Sequence, residues 1–111
     1  MNSGSLESVI KLGDIWSTGK DQNLSMAIKS YLYAAKKNNP EAQIKLARLR
    51  YQQARVTDDY YDAYFWAMAA AADNNMSVQP LLLKIMEKIP AEHLAQIEAV
   101  AKKGIKRLER Q

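Results

Sequence analysis

Side chains able to do chemistry are few in this chain of 111 residues, which holds one histidine, His93, and no cysteine. Imidazole moves protons near neutral pH. His93, however, sits between Glu92 and Leu94 in what reads as the first turn of a helix, where a surface or partly packed ring is the simpler account. The neighbouring carboxylates Asp58 and Asp59 could in principle act as general acid and base. They stand where a helix cap and first turn favour negative charge, and capping explains both. No glycine-rich loop precedes a helix in the phosphate-cradling manner, and the lack of thiols removes disulfides and thiolate metal sites. The expectation is a protein that is not an enzyme and uses no metal or cofactor.

Composition then sets what kind of scaffold holds these residues. With 48% hydrophobic and 25% charged residues the chain can bury a core, and its length is that of one domain, 1–111. Ala, Leu and Ile are its commonest apolar residues, and they favour helix. No stretch approaches the ~18 consecutive apolar residues of a membrane span. The opening Met1-Asn-Ser-Gly-Ser-Leu-Glu-Ser lacks a basic region followed by an apolar one. A cytoplasmic protein is expected, a leader already removed being the alternative. Much of the net charge of +4 gathers at the C-terminus, where Lys102, Lys103, Lys106, Arg107 and Arg110 face only Glu109.

Apolar residues recur at helical spacing almost throughout, which predicts an all-α fold of about six antiparallel helices. Leu6, Val9, Ile10, Leu12, Ile15 and Trp16 mark a first helix over 5–18, ended by Gly19 and Lys20-Asp21-Gln22-Asn23. Asn23 caps a second helix carrying Leu24, Ala27, Ile28, Tyr31, Ala34 and Ala35, which closes at Asn38-Asn39. Pro40 is suited to the first position of a third helix, with Ala42, Leu46 and Leu49 on one face. Thr57 or Asp58 opens a fourth, with Tyr60, Ala63, Tyr64, Ala67, Ala70 and Ala71 as its stripe, closing at Asp73-Asn74-Asn75. Ser77 is expected to cap a fifth helix reaching Ile89. Pro90 starts a sixth, with Leu94, Ile97, Val100, Ala101, Ile105 and Leu108 along one face and Gly104 near its end.

These helices repeat. The second superposes on the fourth at a shift of 36 (Ala27 to Ala63), which also matches Leu24 with Tyr60, Ala34 with Ala70, Ala35 with Ala71 and Asn38 with Asn74. The first superposes on the third at a shift of 34 (Leu12 to Leu46), which matches Ile15 with Leu49. Small residues at Gly13, Ala27, Ala34, Ala35, Ala47, Ala63, Ala70 and Ala71 let neighbouring helices approach closely. One pair alone cannot hide its apolar stripe, so stacking has to supply the core.

The pattern LG-x-x-aromatic-x-x-G followed by x-A-x-x-x-aromatic-x-x-AA resembles that of Sel1-like repeats, relatives of tetratricopeptide repeats. Leu12-Gly13, Trp16 and Gly19 match its first helix and turn, and Ala27, Tyr31, Ala34 and Ala35 its second. Leu46, Leu49, the run Asp59-Tyr60-Tyr61-Asp62-Ala63, Trp66 and Ala70-Ala71 match in the second unit. That unit is a degenerate copy: Ala47 replaces the packing glycine, Gln53 the turn glycine, and Ala67 the second aromatic. The resemblance implies an αα-hairpin solenoid of repeat one (about 5–39), repeat two (about 40–75) and a closing pair (about 76–110) whose last helix starts Pro90-Ala91-Glu92. It also implies a bacterial-type adaptor for protein–protein interaction, as small proteins of this kind beside secreted toxins neutralise one cognate effector in the manner of immunity proteins.

Two sets of residues are the candidate contacts. On helix three Arg48, Tyr51 and Arg55 share a face, with Lys45 and Gln52 beside them; the resemblance turns this row into a groove of first helices, with Lys11 and Asp14 as neighbours from helix one. A row of Arg and Tyr suits an acidic, partly apolar protein surface. On helix four Tyr61 and Phe65 align with Ser25 and Lys29 of the polar first unit, so they either lie exposed as a binding patch or pack on the fifth or sixth helix. The expected partner is another protein, with a homo-oligomer also compatible. The alternative is a nucleic-acid or anionic-membrane-surface binder working through the basic C-terminal helix. It is the less favoured, because no exposed aromatic and no nucleic-acid motif accompany that charge.

Overall fold

The computed structural model describes residues 3–18, 22–72 and 76–110. Those residues form six α-helices and a short 3₁₀ turn, with no strand among them: α1 (Ser3–Ser17), α2 (Leu24–Lys36), α3 (Pro40–Gln52), α4 (Thr57–Ala72), the turn Met76–Val78, α5 (Gln79–Glu87) and α6 (Ala91–Glu109). The fold is all-α, as expected. None of these helices is long and apolar enough to cross a membrane. Gly19 and Asp73-Asn74-Asn75, the expected stops of the first and fourth helices, lie outside the described residues.

Local signals account for most boundaries. Asn23 Oδ1 accepts from the Met26 amide at 3.1 Å, and Asn39 Oδ1 from the Ala42 amide at 3.0 Å, so both asparagines satisfy a donor the helix leaves unpaired. Pro40 sits inside the first turn of α3, where its missing N–H has no consequence. Between α2 and α3 the chain reverses through Asn38, at φ 62° in the left-handed region. The Asn38 amide donates to Ala35 O at 3.0 Å and the Asn39 amide to Ala34 O at 3.3 Å, which closes the end of α2 as a Schellman turn. Gln43, fully buried, steadies this turn by donating from Nε2 to Ala35 O at 3.1 Å and to Asn38 Oδ1 at 3.2 Å. Asp59 does more than meet the dipole of α4. Its Oδ2 accepts from the amides of Arg55 and Val56 at 2.9 and 3.3 Å, folding the α3–α4 connection back on the helix start.

Ser77 does not cap α5. It falls within the 3₁₀ turn, Val78 takes the cap position without a side-chain bond, and the helix is confined to Gln79–Glu87. A proline at the second position removes one of the amides a cap would have served. Ile89, beyond the helix end, is nonetheless buried in the core.

The helices pack in order: α1 on α2, α2 on α3, α3 on α4, and α4 on both α5 and α6. Alanine makes this possible. Ala27, Ala34, Ala35, Ala42, Ala47, Ala63, Ala67 and Ala70 are wholly buried, with Ile10, Leu46, Leu49, Tyr31, Tyr64, Val78 and Ile85 filling the spaces between them. Gly13 marks a very tight approach, since a Cβ there would lie 2.6 Å from Cε1 of Tyr31.

Two stretches of the predicted apolar stripes are exposed. Leu12 is 46% and Ile15 66% accessible, whereas their counterparts Leu46 and Leu49 are 0% and 7%. The difference is one of neighbours: α3 lies between α2 and α4, but α1 packs chiefly on α2, so no other described helix covers its outer face. Val100 is likewise exposed, because the buried stripe of α6 runs through Leu94, Ile97, Ala101, Ile105 and Leu108 and passes beside it.

Candidate functional site

Helices α1 and α3 lie side by side with α2 beneath, and the space between them is a cleft of about 460 Å³ lined by Asp14, Tyr31, Lys45, Arg48, Leu49 and Gln52 among others. Three of these side chains form one cluster. Lys45 Nζ meets Asp14 Oδ2 at 2.8 Å and Oδ1 at 3.0 Å, and the Tyr31 hydroxyl donates to Asp14 Oδ1 at 2.5 Å. Ser17 Oγ lies 3.3 Å from the same hydroxyl, and Glu41 approaches Lys45 at 3.7 Å. The tyrosine ring reaches this place only because Gly13 leaves room for it. One carboxylate thereby ties α1, α2 and α3 together.

The chemistry of the cluster is structural. Partial burial on its own would raise the Asp14 carboxyl, but hydrogen bonds from Lys45 and Tyr31 and the charge of Lys45 outweigh it and hold the group below its ordinary value. Burial, with the bond to Asp14, pushes the Tyr31 phenol up to about 12. A tyrosine held so firmly protonated is a donor for Asp14 and poorly suited to give up its proton as a catalytic acid. Among the described residues no group of three His, Asp or Glu side chains could hold a metal ion.

A second cleft of about 290 Å³ continues on the other side of α3, between that helix and α5, lined by Arg48, Tyr51, Gln52, Ser77, Pro80, Leu81 and Lys84. Arg48 and Gln52 border both clefts, so the two form one channel over the exposed face of α3. Arg48 and Lys84 are exposed, and neither has a carboxylate within ion-pair distance among the described residues. With Asp14 answered by Lys45, the channel is left positive. Tyr51 is half-buried, its ring edge-on to Tyr60 at 5.8 Å between centroids.

The predicted contacts thus fall into unequal groups. Asp14, Lys45, Arg48, Tyr51 and Gln52 come together along the channel. Arg55 sits at its end, on a shallow hollow with Gln52, Gln53 and Ala54, and Lys11 is exposed on α1 away from the cleft linings. Asp14 and Lys45 neutralise each other, which leaves Arg48 as the main open charge. Tyr61 and Phe65 are elsewhere, half-buried on the seam between α4 and α6, where they pack against the sixth helix and also line an open cleft of about 430 Å³ with Gln96, Ile97 and Val100. Phe65 is half-buried and lies so close to Gly104 that a Cβ there would come within 2.5 Å of its ring. The Tyr61 hydroxyl is 3.2 Å from Nδ1 of His93. Gly104, which costs about 1 kcal/mol of helix propensity, is therefore the seat of an aromatic ring.

Lys84 and the edge of the channel made by Ser17, Thr18 and Gln22 were not singled out from the sequence. Lys84 was accessible to the same reasoning, since α5 is the third first-of-pair helix and continues the row begun on α1 and α3. No protein-family profile matches the chain, and comparison with curated proteins and with solved structures gives no match either. The likeness to Sel1-like repeats accordingly rests on the residues quoted for it.

Proposed function

We propose that the protein is a helical-repeat module of the Sel1-like kind that captures another protein, using the channel across α3 as its contact surface. The observation that supports this best is the shared position of Arg48 and Gln52 between two adjoining clefts, with Lys84 on the far wall and no acid within ion-pair distance of either cation among the described residues. Such a channel admits an extended segment or helix edge bearing carboxylates, and Leu49, Tyr51 and Leu81 provide apolar contact beside the charges. The reading assigns no catalysis. An inhibitor of a single cognate effector is the sharper form of this reading.

The test uses a displayed random-peptide library selected on the immobilised protein. Enrichment of peptides that combine Asp or Glu with apolar residues is expected, and the paired substitution Arg48→Glu with Lys84→Glu should abolish it. Both side chains are exposed, so the fold should survive. Selection of neutral or basic peptides, or enrichment unaltered in that variant, would overturn the reading.

A further inference from the structure

A separate surface lies on α6, beside the end of α4. Over its last three turns α6 turns Ala101, Ile105 and Leu108 inward and leaves every cation outside. Those cations divide into two rows. Lys102 pairs with Glu98 at 3.0 Å, and Lys102 and Lys106 share a hollow with Glu109, so this flank carries both signs of charge. Lys103, Arg107 and Arg110 form the other row, at positions i, i+4 and i+7 of one face. No acidic residue stands three or four positions from any of the three.

That arrangement works against the helix. Lys103 with Arg107, Lys102 with Lys106 and Lys106 with Arg110 are like charges four residues apart, and Arg107 with Arg110 three apart, spacings at which like charges repel. The negative end of the helix dipole explains cations in the last turn, but its influence has faded by Lys103, well before the end at Glu109. Glu41 with Lys45 and Glu98 with Lys102 show the compensated alternative, an acid four residues before a lysine. An exposed row that the chain leaves uncompensated is an electrostatic footprint for an anion with regularly spaced charges.

We propose that this row docks the phosphate backbone of a nucleic-acid duplex. From Lys103 to Arg110 the row covers roughly 10 Å of helix axis, close to the rise of three nucleotide steps along one strand, about 3.4 Å each. Arginine, which supplies two of the three charges, matches phosphate geometry through its planar fork. The only large apolar side chain exposed on α6 is Val100, so the surface has neither the hydrophobic face that inserts into a bilayer nor the aromatic platform that stacks on single-stranded bases. It therefore reads backbone and not sequence.

Fluorescence anisotropy of the full chain with a labelled mixed-sequence DNA duplex decides the matter. Three phosphate contacts predict a slope of log K against log salt near −2.7, or roughly 40-fold weaker binding at 200 mM than at 50 mM salt. Replacing Lys103→Gln with Arg107→Gln should reduce the magnitude of the slope by about 2, while Lys36→Gln with Lys37→Gln, an equal loss of charge on α2, should leave it unchanged. If circular dichroism shows that the first pair disturbs α6, Arg107→Gln alone should lower the slope by about 1. Absence of binding at low salt, equal loss in both paired variants, tighter binding to phosphatidylserine vesicles, or competition by polyglutamate as effective as by unlabelled duplex would each overturn the proposal.

Discussion

The first helical pair, α1 and α2, and the second, α3 and α4, align in sequence at shifts of 34 and 36 residues, yet they pack with different residues. In the first, Gly13 makes a notch and Tyr31 fills it, with Asp14 and Lys45 holding the hydroxyl. At the corresponding places of the second stand Ala47 and Ala67, both fully buried, so two methyl groups do the work of a notch and a ring. The outer faces differ in the opposite sense. Ser25 and Lys29 of α2 meet solvent, whereas the matching Tyr61 and Phe65 of α4 lie under α6. The aromatic excess of the second pair thus answers the closing helix, and the polar cluster of the first pair belongs to the channel. A repeat position specifies where a residue sits, and the neighbour it meets determines what it has to be.

The largest test of this comparison sets equivalent leucines against each other. Leu46→Ala should cost about 2–5 kcal/mol, because the residue is wholly buried, and Leu12→Ala at the same repeat position well under ~1 kcal/mol. Urea unfolding of the two variants measures the difference, and equal losses would show that the outer face of α1 is covered in solution.

Converting the first pair toward the second is the next test. Gly13→Ala drives a methyl into the Tyr31 ring and should destabilise by about 1–3 kcal/mol, less the ~1 kcal/mol that alanine returns in helix propensity. With Tyr31→Ala already present the same change should be neutral or favourable, because the notch is then empty. A double-mutant cycle showing additive effects would refute the paired roles of the two residues.

The smallest effect is the pH dependence of the Asp14–Tyr31 cluster, which adds to that of Asp59, lowered by the amides it accepts from, and of Tyr64, raised by burial, on α4. Asp14 is held below its ordinary value in the folded state, so its contribution is present above the unfolded value of 3.8 and disappears as pH falls through the folded one. The phenol of Tyr31 is raised from 10.0 to about 12, so its contribution is complete below pH 10 and is lost as pH climbs toward 12. The Asp14 side chain is 43% exposed, and solvent screening keeps the acid-side effect below ~1 kcal/mol. Asp14→Asn should flatten the acid limb of a melting profile and Tyr31→Phe the alkaline limb. Mutation of Ala47 or Ala67 to serine should leave the shape of both limbs unchanged.

The sequence by itself determined the helices and their order. Asn23, Asn39, Pro40 and the apolar spacing act within a few residues of chain, so they can be read without knowing what lies opposite. It also carried the alignment of the first two helices with the next two, the smallness of the residues at helix crossings, and the row of Lys45, Arg48, Tyr51, Gln52 and Arg55 on α3, beside which only the Sel1-like resemblance set Lys11 and Asp14. What only the tertiary structure decided concerns faces. Leu12, Ile15 and Val100 have the spacing of core residues yet are open to solvent, and Tyr61 and Phe65 have the pattern of a surface patch yet are half-buried against α6. Ser77 has the chemistry of a cap and does not serve as one. Periodicity records that a helix has an apolar side. Whether that side is covered depends on a second helix arriving there, a contact between residues as far apart as Phe65 and Gly104, and no local pattern encodes it.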